Sequence, residues 1–155
     1  MNEECNDILQ ELESWFDDDR GRYLLDVTRA SVQGILDTTF GYHLVQLGMH
    51  GPEPLLEGSR INHKVFCAEV ATARAGLIAH PDELPLESDS VDTVIVHHCL
   101  EFARNPHQVL REIQRVLTPQ GQLIIIGFNP HSILGLLGRV RAVLGSALWG
   151  NHRAL

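Results

Sequence analysis

Two short stretches, Val91–Val96 and Leu123–Phe128, are apolar almost without interruption, and a single amphipathic helix pattern lies between them. Such runs read as strands buried on both faces, the kind found where helices cover each side of a sheet. Pro106 stands at a helix-start position, and Val109, Leu110, Ile113, Val116 and Leu117 recur at the i, i+3, i+4, i+7 spacing of one helix face. Pro119 and Gly121 stop that helix. Strand, helix and strand in this order predict an α/β chain: a Rossmann-like, mostly parallel sheet flanked by helices.

The remaining segments extend the pattern. Ile8, Leu9, Leu12, Trp15 and Phe16 have helical spacing with acids opposite, and Gly21 breaks that run. Leu24, Leu25, Val27, Val32, Ile35 and Leu36 predict a second helix over 23–36. His43–Leu47 is a short apolar strand closed by Gly48; residues 52–62 are irregular. Lys64–Ala68 and Leu77–Ala79 complete a set of five strands. A last helix is expected over 132–148, as a core, partner-binding or membrane-surface element, with burial favoured by its three glycines. The chain is expected to be a single domain: N-terminal helices over 1–40, the Rossmann-like core over 41–130, and a C-terminal helix over 131–155.

Charge and composition exclude some classes. The net charge of −8 argues against generic nucleic-acid binding. No run reaches the ~20 apolar residues of a membrane span, and the acidic N-terminus does not resemble a secretory signal. Cys5, Cys67 and Cys99 are odd in number and widely spaced, a poor disulfide framework, so a cytoplasmic location is expected. Residues 1–26 hold nine acids and two bases, whereas 131–155 hold three arginines and no acid. These are either two solvated faces or ends that attract each other or a partner.

From residue 79 to 130 the motifs combine. Glu83-Leu84-Pro85 leads to Asp92 on a strand; Leu100-Glu101-Phe102 follows; then come Glu112-Ile113, Arg115-Val116-Leu117, Pro119 and Gly121. This resembles the second half of class I S-adenosylmethionine-dependent methyltransferases of the type 11 branch. The resemblance implies S-adenosylmethionine as cofactor and methyl transfer to an acceptor that the sequence does not name. The cofactor brings an activated methyl group, so such an enzyme mainly binds both partners in line and excludes water.

The family's first strand ends in an acid, one residue, then Gly-x-Gly-x-Gly. Here Gln46 stands at the acid, Gly48 fits the first glycine, and His50 and Pro52 fall on the other two. Gly48 is either a cofactor-loop glycine or a plain turn. The resemblance places a ribose-binding acid at the end of the second strand; Glu69 lies 21 residues after Gly48, close to the ~20 of dinucleotide-binding folds. A solvated surface Glu is the alternative. His80 falls at the adenine-reading acid, with Pro81 where a backbone N–H would contribute. His97 and His98, at the end of the fourth strand, are candidate general bases or histidines packed under the next helix. No metal site is expected from them and Cys99, because neighbouring strand residues point to opposite faces. Asn129-Pro130 is either an active-site pair or a turn.

The family continues for two strands beyond the fifth, which this chain is expected to lack. The fifth strand would then be an apolar edge, and self-association through it and the C-terminal helix is expected. Three functions follow: a methyltransferase; a non-catalytic interaction or regulatory module that keeps the sheet and no longer binds the cofactor; or, from the basic apolar segment 132–149 alone, a peripheral membrane or lipid-modifying protein.

Overall fold

The computed structural model describes residues 14–49 and 53–128. Residues 5–13 of the helix expected over 5–17, the helix expected over 132–148, Cys5, His50, Pro52 and Asn129-Pro130 lie outside the described residues.

Helix α1 spans Asp19–Leu36, strand β1 His43–Gly48, β2 His63–Ala68, β3 Leu77–Ile78 and β4 Val91–His97. Helix α2 spans Pro106–Val116 and β5 Leu117–Ile126. The five strands form one sheet in the order β3-β2-β1-β4-β5, with every pair parallel. This is the Rossmann-like α/β sheet expected from the alternating strands and helices. Among the described residues no helix is long and apolar enough to cross a membrane.

Alternation along the strands fills both faces. On one face Leu44, Phe66 and Ile95 pack with Val32 and Leu36 of α1. On the other, Val45, Leu47, Val94 and Val96 pack with Val109, Ile113 and Val116 of α2. Helix α2 starts as its sequence predicts: Pro106 sits in the first turn, and the Asn105 side chain accepts from the Gln108 backbone N–H at 3.1 Å.

Two boundaries differ from expectation. Gly21 does not break a helix but lies inside α1, where a Cβ would collide with the Trp15 carbonyl and the Phe16 backbone. Its glycine is a packing requirement that looks like punctuation in the sequence. The fifth strand begins at Leu117, not Leu123. Val91 pairs with Leu117 and Thr93 with Gln122, so Thr118–Gly121 form an outward bulge instead of a turn before the strand.

Helix α1 also anchors the loop after β1. Arg29 pairs with the Glu53 carboxylate at 2.7 Å and donates to its carbonyl at 3.2 Å, and Gln33 donates to the Gly58 carbonyl at 2.9 Å. A 3-10 turn at Leu55–Gly58 gives this segment more order than its composition suggests.

Candidate functional site

The strand order reverses between β1 and β4, since β2 and β3 lie on one side and β5 on the other. In open α/β sheets the crevice at such a switch point, outside the carboxyl ends of the strands, is where ligands bind. Gly48 and His97 are paired there in register, and the Met49 N–H donates to the His97 carbonyl at 2.8 Å. Gly48 has φ +92, and a Cβ on it would meet the His97 carbonyl oxygen and lie 2.8 Å from the Cys99 Cβ. The glycine is therefore demanded by the chain's own β4, independently of any ligand.

Gln46 is fully buried on the α1 side of the sheet. Its Nε2 donates to the Met49 carbonyl at 2.9 Å, and its Oε1 accepts the Leu55 N–H at 2.7 Å. It thus holds both sides of the loop with one donor and one acceptor. A carboxylate offers acceptors only and cannot do both. The departure from the family's acid is a loop clamp; the sequence shows the exchange but not its use.

The two histidines divide. His97 is 1% exposed, and its Nδ1 lies 3.0 Å from the Met49 carbonyl. A carbonyl only accepts, so Nδ1 carries the proton. Burial, reinforced by the neighbouring His98, lowers its pKa from 6.5 to about 4. Burial thus favours the neutral ring at physiological pH, with Nδ1 committed to the Met49 carbonyl.

His98 has φ +48, a left-handed conformation that costs a non-glycine residue about 1–2 kcal/mol. Its N–H donates to the Ile126 carbonyl at 2.9 Å. Its Nδ1 lies 3.0 Å from Glu101 Oε1, which also accepts the Phe128 N–H at 2.9 Å. The ring stacks on Phe128, with centroids 4.0 Å apart and planes 22° from parallel. Burial works to raise the Glu101 carboxyl, but hydrogen bonds from His98 and from backbone N–H groups outweigh it and hold the group below its ordinary range. The left-handed turn also brings the two imidazoles within 4.7 Å of each other. The reasoning from alternation, that neighbours on β4 point apart, fails here because the strand ends at His97. Among the described residues no group of three metal-ligating side chains converges.

Phe16 lies over both rings, 6.4 Å from His97 and 5.8 Å from His98. With Leu25 and Met49 it forms a small core, joined by Trp15, Phe102 and Phe128. The sequence marks Phe16 only as an apolar helix position.

Glu69 follows β2 directly, with its side chain 34% exposed and its carboxylate 3.7 Å from His80 Nδ1. The structure therefore brings together the residues expected at the ribose and adenine positions. Nearby Cys67 and Cys99 are buried, as expected. Burial pushes their thiols up to about 11 and about 12, so neither is a nucleophile at neutral pH.

Residues 60–125 match the methyltransferase domain family of type 11. The Escherichia coli (strain K12) protein YafS is 36% identical over 97 residues, which are 63% of this chain and 40% of that protein. A chain of the Haloferax volcanii complex containing the Trm112 methyltransferase activator superposes with TM-score 0.52 at 24% identity, over 74% of this chain and 59% of its own. An S-adenosylmethionine-dependent methyltransferase from Thermotoga maritima gives TM-score 0.51 at 21% identity, with the same coverage of 74% and 59%.

The family match covers less than half of the chain, and the solved structures share its Rossmann-like fold. The matched stretch spans less than half the length of the Escherichia coli relative. Within the matched stretch the family's signature residues are mostly structural. Asp92 accepts the Tyr42 and His43 N–H groups at 2.7 and 3.0 Å, tying the start of β1 to β4. Glu112 accepts the Leu84 N–H at 2.9 Å and pairs with Arg115 at 2.7 Å. Arg115 in turn donates to the Leu84 and Leu86 carbonyls at 2.9 and 2.8 Å. The Leu84-Pro85 and Glu112–Arg115 motifs are two halves of one clamp on the loop entering β4. Glu101, which the sequence shows only as part of a family motif, lies just past the carboxyl end of β4 and joins His98 to the Phe128 backbone.

Proposed function

We propose that this chain binds S-adenosylmethionine across the carboxyl ends of β1, β2 and β4 and transfers its methyl group to a small acceptor held near His98. The observation that carries this reading is Glu69, an exposed carboxylate at the end of β2 beside the switch point, within the stretch that matches the methyltransferase domain family. The donor set fits the adenosine half of the cofactor. Two carboxylate oxygens suit the two ribose hydroxyls, and His80 stands beside them for the base. The methionine half has less: Gln46 has both amide groups committed to the loop and leaves none for a ligand. Bound there, the cofactor would supply an electrophilic methyl group on a sulfonium. The chain's own part is to hold the ribose through Glu69, to exclude water with Phe16, Phe102 and Phe128, and to manage a proton at His98.

The commitment of Gln46, together with Phe16 over the histidines, favours a second reading, a non-catalytic module of the same fold. Calorimetric titration with S-adenosylmethionine and S-adenosylhomocysteine separates the two. Micromolar binding is expected, and Glu69→Ala should weaken it. Loss of hydrogen bonds to a charged group removes about 1.5–3 kcal/mol, roughly tenfold to hundredfold in affinity. Its melting temperature should not change. A folded protein that gives no heat with either compound would establish the second reading.

A further inference from the structure

We infer that His43 and His63 form a two-imidazole site for a divalent transition-metal ion at the amino end of the sheet. This inference does not rest on the methyltransferase reading. His43 opens β1 and His63 opens β2, and the parallel register pairs them directly. Side chains alternate along a strand, so both histidines share the face of Val45 and Val65, which pack in the core beneath α2. Both histidines are exposed at the rim of that core. Their ring centroids lie 5.2 Å apart, with the planes tilted by 52°. Among the described residues neither ring makes a hydrogen bond or an ion pair, so both keep their nitrogens for a ligand.

The spacing suits one shared ion. A zinc–imidazole bond of about 2.0–2.1 Å sets the ring centroid about 3.2 Å from the ion, and two such rings at a tetrahedral angle have centroids about 5.2 Å apart. A ring centroid lies close to the χ2 axis, so each ring can turn a nitrogen toward the ion and keep this spacing. The backbone beneath is already fixed: the His43 N–H donates to Asp92 Oδ2 at 3.0 Å, and the His63 N–H to the Tyr42 carbonyl at 3.3 Å. Such preorganisation lowers the cost of bringing two ligands together. Asp92 spends Oδ2 on the Tyr42 and His43 N–H groups, and among the described residues no three ligating side chains converge. The protein therefore supplies two ligands, and water completes the coordination. Imidazole selects copper, zinc and nickel over magnesium and calcium, and copper(II) binds tightest of the divalent series. His43 and Gly48 stand at opposite ends of β1, roughly 16 Å apart. The ion thus ties β1 to β2 and takes no part in chemistry at the crevice.

The test titrates the full chain with copper(II) and with zinc(II), and records electron paramagnetic resonance on the copper form. Wild type should hold one copper(II) ion with superhyperfine splitting from two nitrogens. His43→Ala and His63→Ala should each weaken binding at least about tenfold, because a lone imidazole loses the advantage of a second ligand held close by. The double variant should bind no more weakly than either single one, since both remove the same ion. Zinc should raise the melting temperature of wild type and of neither variant. His107→Ala, at another exposed histidine, should leave binding unchanged. Both positions of the pair are exposed, so every variant should keep the circular dichroism of wild type. Copper affinity that survives either single variant, losses that add in the double one, or one ion held per two chains overturns the shared site. Magnesium competing as well as zinc overturns it too, since that would mark carboxylates and not imidazoles.

Discussion

Replacing Gln46 by Glu restores the acid that the family carries and isolates what the amide does here. The side chain is fully buried, with its donor on the Met49 carbonyl at 2.9 Å and its acceptor on the Leu55 N–H at 2.7 Å. In Gln46→Glu the contact to Leu55 survives, but an oxygen faces the Met49 carbonyl where an N–H had been. Desolvation raises the new carboxyl above its unfolded value of about 4.3. A raised carboxyl is tolerated while protonated, when its O–H can donate to Met49, and is penalised as pH climbs through the folded-state value. Near pH 5 the variant should approach wild type. At pH 8 the choice between ionising a buried group and opposing two acceptors should cost about 3 kcal/mol. For a chain of this length that is about 6–12 °C in melting temperature. Calorimetric melts and urea midpoints of both proteins at the two pH values supply the measurement. Equal stability at pH 8 would refute the clamp. A gain in cofactor affinity with no loss of stability would show instead that position 46 faces the ligand.

Other outcomes follow from the same contacts. His97 titrates near 4 in the fold against 6.5 when unfolded, so its contribution is complete above about pH 6.5 and lost as pH falls toward 4. That gap is worth about 3 kcal/mol, and a wild type no more acid-sensitive than His97→Gln between pH 7 and 4.5 would contradict it. Gly48→Ala should lose at least about 2 kcal/mol in urea denaturation, from its φ of +92 and the crowding by β4; an unshifted midpoint would argue against the close approach. Arg115→Ala should speed amide exchange at Leu84 by releasing the loop that it ties, while amides paired between β1 and β2 keep their protection. Uniform acceleration across the sheet would contradict a local clamp.

The parallel sheet was legible because Val94–Val96 and Leu123–Ile126 are apolar on both faces and α2 keeps strict helical spacing. Local punctuation was less reliable. Gly21 and Gly121 look alike in the sequence, yet one sits in a helix against Trp15 and the other in a strand bulge. At the site, Glu69 and His80 were legible from position in the family pattern, and their approach to 3.7 Å could not be read from spacing. Glu101 was hidden because its partner becomes its neighbour only after His98 leaves the strand in a left-handed turn. Gln46 was visible as an exchange, but its meaning depends on Leu55 and Met49, which the loop brings back to it.

The central pairing of β1 with β4 joins Leu44 to Thr93 and Gly48 to His97, residues about fifty positions apart. The connections from β1 to β2 and from β4 through α2 to β5 are far shorter. Each half can therefore gain order through local contacts, whereas the middle of the sheet waits for the longest loop closure. The crevice lies on that seam, so it is among the last features to form as the chain folds. A fluorescent cofactor analogue added during refolding would then report the closing step itself, lagging behind the recovery of helical circular dichroism.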